Sequence, residues 1–147
     1  MDGYATHIAP LVAAAISVDG DILELGCGDY SSPVLAEITK ARGCKLVIHS
    51  SDPVWAKRFE DIAEVVIVDW SKWTPPVGNW GLVFLDSEEH APQRLLKLSH
   101  LRNICKKIVM HDASQAAMCD NYQGIVNNFK SNVMYSRYEP ATVVLEC

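Results

Sequence analysis

The chain of 147 residues is long enough for one domain and leaves little room for a second. Hydrophobic residues make up 49% of the chain and charged residues 21%, so a packed core is expected rather than disorder. The net charge of −5 argues against general binding to nucleic acid, which needs a basic surface, although it leaves open a nucleic-acid substrate held by a local patch.

Two further absences concern the membrane and the cysteines. No apolar run approaches the ~20 residues that span a bilayer, and the N-terminal stretch MDGYATH has an acid where a secretory signal would carry basic residues. We therefore expect a cytoplasmic protein that does not bind a membrane. The 5 cysteines form no CxxC pair, so we expect reduced thiols, with neither a disulfide framework nor a structural zinc site.

Short β-rich segments alternate with helical ones through the first half of the chain. The spacing of apolar residues predicts a first helix over His7–Ser17. The strands predicted after it are Asp21–Leu25, Lys45–His49 and Glu64–Val68. The helices predicted between them are Ser32–Ala41 and a segment around Val54–Phe59.

The same alternation continues in the second half. Strands are predicted at Trp80–Leu85 and Lys107–His111, and helices at Pro92–Ile104 and Tyr122–Phe129. The last two predicted strands, Val133–Arg137 and Thr142–Glu146, flank Glu139-Pro140 and form a predicted hairpin.

This order of elements predicts an α/β fold. Alternating strands and helices build a mostly parallel central sheet with helices on both faces, and the final hairpin adds an antiparallel strand at one edge. In such sheets ligands bind beyond the carboxyl ends of the strands. The residues that follow each strand are therefore the candidates for a functional site.

The first strand is followed by a turn with two glycines, Glu24-Leu25-Gly26-Cys27-Gly28-Asp29-Tyr30-Ser31-Ser32. The glycines let the backbone turn tightly and approach a ligand, and the next helix presents its N-terminus there. The third glycine of the dinucleotide fingerprint GxGxxG is replaced by Ser31, so the turn is a poor match for NAD or FAD. Taken alone, two glycines are also compatible with an ordinary turn.

Acidic residues follow the second and third strands. Asp52 has the position from which a carboxylate accepts hydrogen bonds from both ribose hydroxyls, but it is equally suited to cap the next helix. The third strand ends in Asp69 and Trp70. Trp70 either stacks on a base or packs with Trp73 and Trp80 around the proline-rich loop.

Polar clusters follow the fourth and fifth strands, in the sequences DSEEH and HDA. We interpret Glu88 and Glu89 as solvated charges on the surface. Functional roles are expected for four other residues of these clusters, namely Asp86, His90, His111 and Asp112.

The segment DILELGCGDYSS resembles motif I of the class I S-adenosylmethionine-dependent methyltransferases, and FLDSEEHAPQR with KIVMHDA is similar to a branch of methyltransferase-like proteins. The resemblance implies a single Rossmann-like methyltransferase domain over residues 1–147, with S-adenosylmethionine as cofactor. It implies that Asp52 binds the ribose, Asp69 the adenine amino group and Trp70 the adenine ring. The motif I residues implied in cofactor binding are Glu24, Gly26, Gly28, Tyr30 and Ser31.

The resemblance also implies an enzyme that transfers a methyl group to an oxygen or nitrogen nucleophile of a small molecule or another acceptor. His111 or His90 would accept the proton, oriented by Asp112 or Asp86. The (N/D)PP(Y/F) motif of amino-directed DNA methyltransferases is replaced by DSEE, so we do not expect DNA methylation. The alternatives are a non-catalytic S-adenosylmethionine-binding domain and an enzyme that cleaves S-adenosylmethionine.

A divalent metal is left open and is not favoured. Asp86 and Asp112 with water offer oxygen ligands, but Ala113 stands where the metal-dependent catechol-type enzymes have asparagine. His90 or His111 would instead favour a softer transition metal. A homodimer is a further possibility, because partner walls formed by Trp73, Trp80 or the terminal strands would complete a substrate site in so short a chain.

Overall fold

The computed structural model of the chain describes residues 5–147. Residues 1–4, on which the expectation of no secretory signal partly rests, lie outside the described residues. The described chain forms a seven-stranded sheet with helices packed on it. The strands are β1 (Asp21–Leu25), β2 (Leu46–Ser50), β3 (Glu64–Ile67), β4 (Trp80–Leu85), β5 (Cys105–Met110), β6 (Ser131–Tyr135) and β7 (Thr142–Glu146).

The strand order is β3-β2-β1-β4-β5-β7-β6. Strands β1 to β5 pair in parallel, whereas β7 runs antiparallel to both of its neighbours, β5 and β6. The order reverses at β1, since the chain proceeds outward to β3 and then returns to β4 on the other side. Such a reversal opens a crevice at the carboxyl ends of β1 and β4, where ligands bind in this architecture.

Residues 5–147 contain six α-helices and two 3₁₀ turns, and all but the first helix lie between strands. The helices are α1 (Ile8–Ile16), α2 (Ser31–Arg42), α3 (Pro53–Ala56), α4 (Ala91–Leu101), α5 (Ala113–Ala117) and α6 (Tyr122–Val126). The 3₁₀ turns are Lys57–Phe59 and Trp70–Lys72. Within residues 5–147, every helix is too short or too polar to cross a membrane.

Alternating side chains of the central strands fill two separate cores. In β1, Leu23 and Leu25 pack on the face covered by α4, α5 and α6. Ile22 packs on the opposite face with Leu11 of α1 and Leu35 of α2. Because both faces are covered, β4 is apolar along its whole length, as expected for a central strand.

The predicted elements are confirmed, with differences at several ends. The hairpin of β6 and β7 is present, but its second strand lies against β5, so β6 rather than β7 forms the edge of the sheet. Pairing of Ser131 with Glu146 starts β6 earlier than its apolar pattern indicated. The short helix α5 was not predicted, and α6 ends at Val126 rather than Phe129.

The surfaces suggested for a homodimer differ in exposure. Trp80 is buried, and its Nε1 donates to the carbonyl of Pro76 at 2.9 Å, so its assignment to an exposed dimer surface is wrong. Trp73 is half-buried and its Nε1 donates to Nδ1 of His49 at 2.8 Å. Strand β6 is exposed along its whole length, so the prediction of a homodimer rests on that edge.

Candidate functional site

The turn after β1 places main-chain atoms at the centre of the carboxyl edge. Gly26 has φ of +87°, and a Cβ at this position would collide with the main-chain oxygen of Asp86. Only glycine therefore lets the end of β1 lie this close to the end of β4. Gly28 is not needed for this close approach. A Cβ there would meet only Ser31 Oγ, at 3.6 Å, and would otherwise stand in open space.

Glu24 stabilises this turn through a buried hydrogen bond. Its side chain is fully buried, and Oε1 accepts a hydrogen bond from Ser31 Oγ at 2.5 Å. Burial raises the pKa of Glu24 to about 8, against the opposing effect of hydrogen bonds from Ser31 and Ser32. The structure thus places Glu24 as a positioning residue for Ser31, which lines the adjoining cleft, rather than on the surface of the site.

Two clefts adjoin the glycine turn. The first has a volume of about 350 Å³ and is lined by His7, Cys27, Gly28, Asp29, Tyr30, Ser31, Trp55 and Asp86. The second has a volume of about 280 Å³ and is lined by Gly26, Cys27, Ser50, Asp52, Trp55, Asp86 and Glu88. The clefts share Trp55, whose Nε1 donates to the carbonyl of Cys27 at 2.9 Å, so this ring lies across the turn where the clefts adjoin.

His111 and Asp86 meet at the ends of β5 and β4, as predicted. His111 is buried, and its Nδ1 lies 3.3 Å from Asp86 Oδ1. Its Nε2 lies 3.1 Å from Thr6 Oγ1, which donates its hydrogen to the carbonyl of Pro140 at 2.8 Å. Because the threonine hydroxyl has one hydrogen, Nε2 is the donor toward Thr6, and in neutral His111 the lone pair is on Nδ1.

Arg94 of α4 holds the acids of this cluster in place. Its Nη1 lies 3.3 Å from Asp112 Oδ2 and 3.6 Å from Asp86 Oδ1, and it donates to the carbonyl of His111 at 3.3 Å. Asp112 has φ of +55°, which is unfavourable for a residue with a side chain. Asp112 and Asp86 thus share one buried guanidinium.

His7 belongs to the same cluster, although no sequence pattern predicted it. It directly precedes α1, is 3% exposed, and its ring centroid lies 4.5 Å from that of His111 and 4.9 Å from that of Phe84. Neither ring nitrogen has a hydrogen-bond partner among residues 5–147. Burial, reinforced by the neighbouring His111, lowers the pKa of His7 to about 4. In sequence His7 is merely the start of an amphipathic helix, since its partners come from β4 and β5.

The polar residues after β4 differ from their predicted roles. Glu89 forms an ion pair with Lys97 and accepts from Ser87 Oγ at 2.9 Å, with little of its side chain exposed, so its interpretation as a solvated charge is wrong. Glu88 is exposed but anchored, because it accepts hydrogen bonds from Ser51 and, at 2.9 Å, from Trp70 Nε1.

His90 is the predicted catalytic residue that the structure leaves apart from the cluster. It is exposed at the start of α4, where its side chain makes no capping hydrogen bond. It is not among the described residues that line the two clefts. A catalytic role for His90 stays a prediction without support from this geometry.

The acids after β2 and β3 both cap short helical turns. Asp52 Oδ1 accepts hydrogen bonds from the main-chain N–H groups of Val54 and Trp55, each at 2.9 Å, and Asp52 also lines the second cleft. Asp69 Oδ1 accepts from the N–H of Ser71 at 2.9 Å, and its Oδ2 lies 3.3 Å from Lys72 Nζ. The capping role of Asp52 and its predicted contact with a ribose are compatible, whereas Asp69 has both oxygens engaged.

Trp70 is not among the described residues that line the second cleft, but it contacts one of them. Its Nε1 donates to Glu88, which lines that cleft, and Lys97 Nζ lies 4.2 Å from the centre of its ring. The ring therefore packs against a buried cation and is connected to the cleft through a carboxylate. Stacking of Trp70 on an adenine stays a prediction.

Comparison with known proteins gives matches in structure alone. No protein-family model matches the chain, and no curated protein matches its sequence. Solved structures match over almost the whole chain, with sequence identities of 11–15% in the three examples that follow.

Three of these structures serve as examples. Cofactor-bound Rv0187 from MTB is 15% identical, with a TM-score of 0.64 over 99% of this chain and 80% of that chain. A TehB-like SAM-dependent methyltransferase from Corynebacterium glutamicum is 14% identical, with a TM-score of 0.63 over 96% and 86%. The SAH-bound methyltransferase PaMTH1 from Podospora anserina is 11% identical, with a TM-score of 0.63 over 94% and 76%.

These similarities agree with the strand order and with the resemblance of the glycine turn. The chain has the Rossmann-like fold of the class I S-adenosylmethionine-dependent methyltransferases.

Proposed function

We propose that this protein is an S-adenosylmethionine-dependent methyltransferase that acts on an oxygen or nitrogen nucleophile of a small molecule. The observation that carries the proposal is the Asp86–His111 pair, with Nδ1 of His111 3.3 Å from Asp86 Oδ1, because Asp86 lines both clefts together with residues of the glycine turn. In a fold whose ligands bind at this edge, cofactor and proton acceptor would then be adjacent.

The residues around the turn fit a cofactor of this size and polarity. Clefts of 350 and 280 Å³ that share three lining residues are in the range of small-molecule sites. The open space at Gly28 and the hydroxyl of Ser31 suit the amino-acid part of the cofactor, and Asp52 suits the ribose. We place Glu88 with Trp70 at the adenine end, because Glu88 lines the second cleft and Asp69 is occupied by its own turn.

S-adenosylmethionine supplies an electrophilic methyl group on a sulfonium sulfur. The chain itself must orient the nucleophile and take up its proton. His111 is suited to accept this proton at Nδ1, because its Nε2–H is directed at Thr6. Asp86 Oδ1 then stabilises the resulting imidazolium, while Arg94 keeps the carboxylate in place.

The acceptor would enter through the first cleft, where His7 and Asp86 form part of the wall. The net charge of −5 favours a small molecule over a nucleic-acid chain, which needs a basic surface. The volume of the first cleft, about 350 Å³, also favours a small-molecule acceptor.

The proposal is tested by incubating the purified protein with methyl-labelled S-adenosylmethionine and pools of small-molecule acceptors. We expect labelled product from the wild type, and a rate reduced by about 10²–10⁴-fold for His111→Ala, which is the usual contribution of a general base. His100→Ala is the matched control, because His100 is an exposed residue of α4 and should leave the rate unchanged.

Undiminished transfer by His111→Ala would refute the role of His111. Mass spectrometry of the products separates the remaining alternatives. Cofactor fragments without a methylated product would indicate an enzyme that cleaves S-adenosylmethionine, and binding without any product would indicate a non-catalytic binding domain.

A further inference from the structure

A second kind of chemistry is present at the same edge of the sheet. His7, Asp86 and His111 each offer a ligand atom, and these atoms all lie within 4.8 Å of one another. They come from three separate parts of the chain, the residue before α1 and the ends of β4 and β5. Two imidazoles and one carboxylate form a donor set that suits divalent transition metals.

The unsatisfied ring nitrogens of His7 indicate that this cluster binds a further group. Both ring nitrogens are buried and neither has a hydrogen-bond partner among the described residues. Burying polar atoms without partners costs free energy, and buried polar groups in folded proteins are nearly always satisfied. Phenylalanine would serve better at this position if packing were its only role, since the His7 ring is tilted against Phe84 and meets His111 edge-on.

The geometry of His111 fits a metal ligand. Two ligands bound ~2.0–2.1 Å from a tetrahedral zinc ion lie roughly 3.3 Å apart, and Nδ1 of His111 is 3.3 Å from Asp86 Oδ1. The other ring nitrogen donates toward Thr6, whose hydroxyl is anchored on Pro140. Metal-binding histidines are usually oriented by a hydrogen bond of this kind from the nitrogen that does not bind the metal.

The surrounding charges allow a cation. Arg94 is the positive group nearest to Asp86 in the described ion pairs, and it opposes metal binding. Asp112 offsets that charge, because its Oδ2 lies closer to the guanidinium than Asp86 does, at 3.3 Å against 3.6 Å. Asp112 is therefore directed to Arg94, and the site differs from the oxygen-only set of Asp86, Asp112 and water considered from the sequence.

We propose that His7, Asp86 and His111 bind one divalent transition-metal ion of the zinc class, with the remaining coordination position open to the first cleft. The inference rests on these three side chains and is independent of methyl transfer. A bound ion would take the Nδ1 atom of His111 that we propose as proton acceptor, so the two roles of this atom exclude each other at any one moment.

The test is a titration of the metal-free protein with Co²⁺, followed by visible absorption, and then displacement by Zn²⁺. We expect one Co²⁺ per chain with d–d bands of nitrogen and oxygen ligation. His7→Phe, which preserves the packing on Phe84, and Asp86→Asn should each weaken Co²⁺ binding by at least about 100-fold, more than the loss of an outer-shell partner costs. His100→Ala, the matched control, should bind as the wild type does.

Several results would overturn the proposal. These are unchanged Co²⁺ binding by His7→Phe, no binding by the wild type, or intense thiolate-to-cobalt absorption that marks a cysteine site instead, as near Cys105 and Cys147, whose sulfurs lie 3.6 Å apart.

Folding of the variants is followed separately by circular dichroism and thermal unfolding. Zn²⁺ should raise the melting temperature of the wild type and not that of folded His7→Phe. Should His7→Phe fail to fold, His7→Gln with the same readout replaces it, and stabilisation of His7→Gln by Zn²⁺ equal to that of the wild type would refute the site. Calorimetry with S-adenosylhomocysteine on the same samples tests the proposed function independently.

Discussion

The two halves of the sheet's carboxyl edge are built differently. At the ends of β4 and β5, His7 is 3% exposed and His111 5%, and their contacts join segments that are distant in the chain, such as Thr6 with His111 and Pro140. At the ends of β2 and β3, Asp52 and Asp69 are exposed and bind main-chain groups two or three residues away.

This difference indicates that the two halves of the edge have different functions. A buried cluster whose groups contact one another keeps a fixed geometry and a low local dielectric, in which electrostatic interactions are stronger than in water. An exposed acid on a local turn keeps access to solvent, so that a ligand can be taken up and released. We infer that chemistry resides at β4 and β5, and that recognition of the cofactor's nucleoside resides at β2 and β3.

The largest effect is expected where the two halves join. Gly26→Ala combines an unfavourable positive φ with a collision against the main chain of Asp86. We expect a loss of at least about 4 kcal/mol in the free energy of unfolding, measured by urea denaturation, or failure to fold.

Gly124→Ala is the control for this change, because a Cβ there meets nothing within 4 Å and Gly124 lies inside α6. That variant should gain roughly 0.5–1 kcal/mol from the higher helix propensity of alanine. Equal stability of both variants would contradict the close approach of β1 and β4.

The buried side chain of Glu24 should also affect how the free energy of unfolding depends on pH. Because burial raises the pKa of Glu24 to about 8, the folded protein binds a proton that the unfolded chain has lost between pH ~4.5 and 8. The folded protein therefore loses stability as the pH rises through that window, by up to about 5 kcal/mol at about 1.36 kcal/mol per pKa unit.

Glu24→Gln should flatten this decline, as measured by denaturation at pH 5, 6, 7 and 8. The exposed Glu37 of α2 offers a matched control, since Glu37→Gln should leave the slope unchanged. The same pH dependence in the wild type and in Glu24→Gln would show that Glu24 is ionised in the fold. His7 contributes an opposite trend below pH ~6.5 in both proteins, because burial lowers its pKa to about 4.

A smaller effect distinguishes the acids of the exposed half. Asp52→Asn keeps a good helix cap but removes the charge, so stability should be nearly unchanged. Affinity for S-adenosylhomocysteine should fall about tenfold, or ~1.4 kcal/mol, because Asp52 lines the second cleft. Asp69→Asn should leave the affinity unchanged, because its oxygens serve Ser71 and Lys72. A larger loss with Asp69→Asn, measured by calorimetry, would reverse the two assignments.

The same contrast explains which features could be predicted from the sequence. Strand positions, the glycine turn and the capping by Asp52 depend on local patterns, and the structure contains them. His7 could not be predicted, since it enters the cluster only when α1 packs over β4 and β5. Glu89 was misjudged for the same reason, because its partner Lys97 is charged in sequence but buried in the fold.

The edge of the sheet was likewise only partly predictable. Alternating apolar residues indicate that β6 and β7 pair, but nothing in a hairpin sequence determines which of its strands adds to β5. The internal strand β7 contacts α5, a helix too short for its own sequence signal.

The central claim is that the glycine turn and its flanking acids bind an adenosine-bearing cofactor. Calorimetric titration of the wild type with S-adenosylhomocysteine, and then with S-adenosylmethionine, tests it most directly. We expect one molecule bound per chain with a dissociation constant near ~1–100 μM, weakened by Asp52→Asn. Absence of binding of either compound at ~1 mM, in protein that unfolds cooperatively, would contradict the claim and leave the fold without its proposed cofactor.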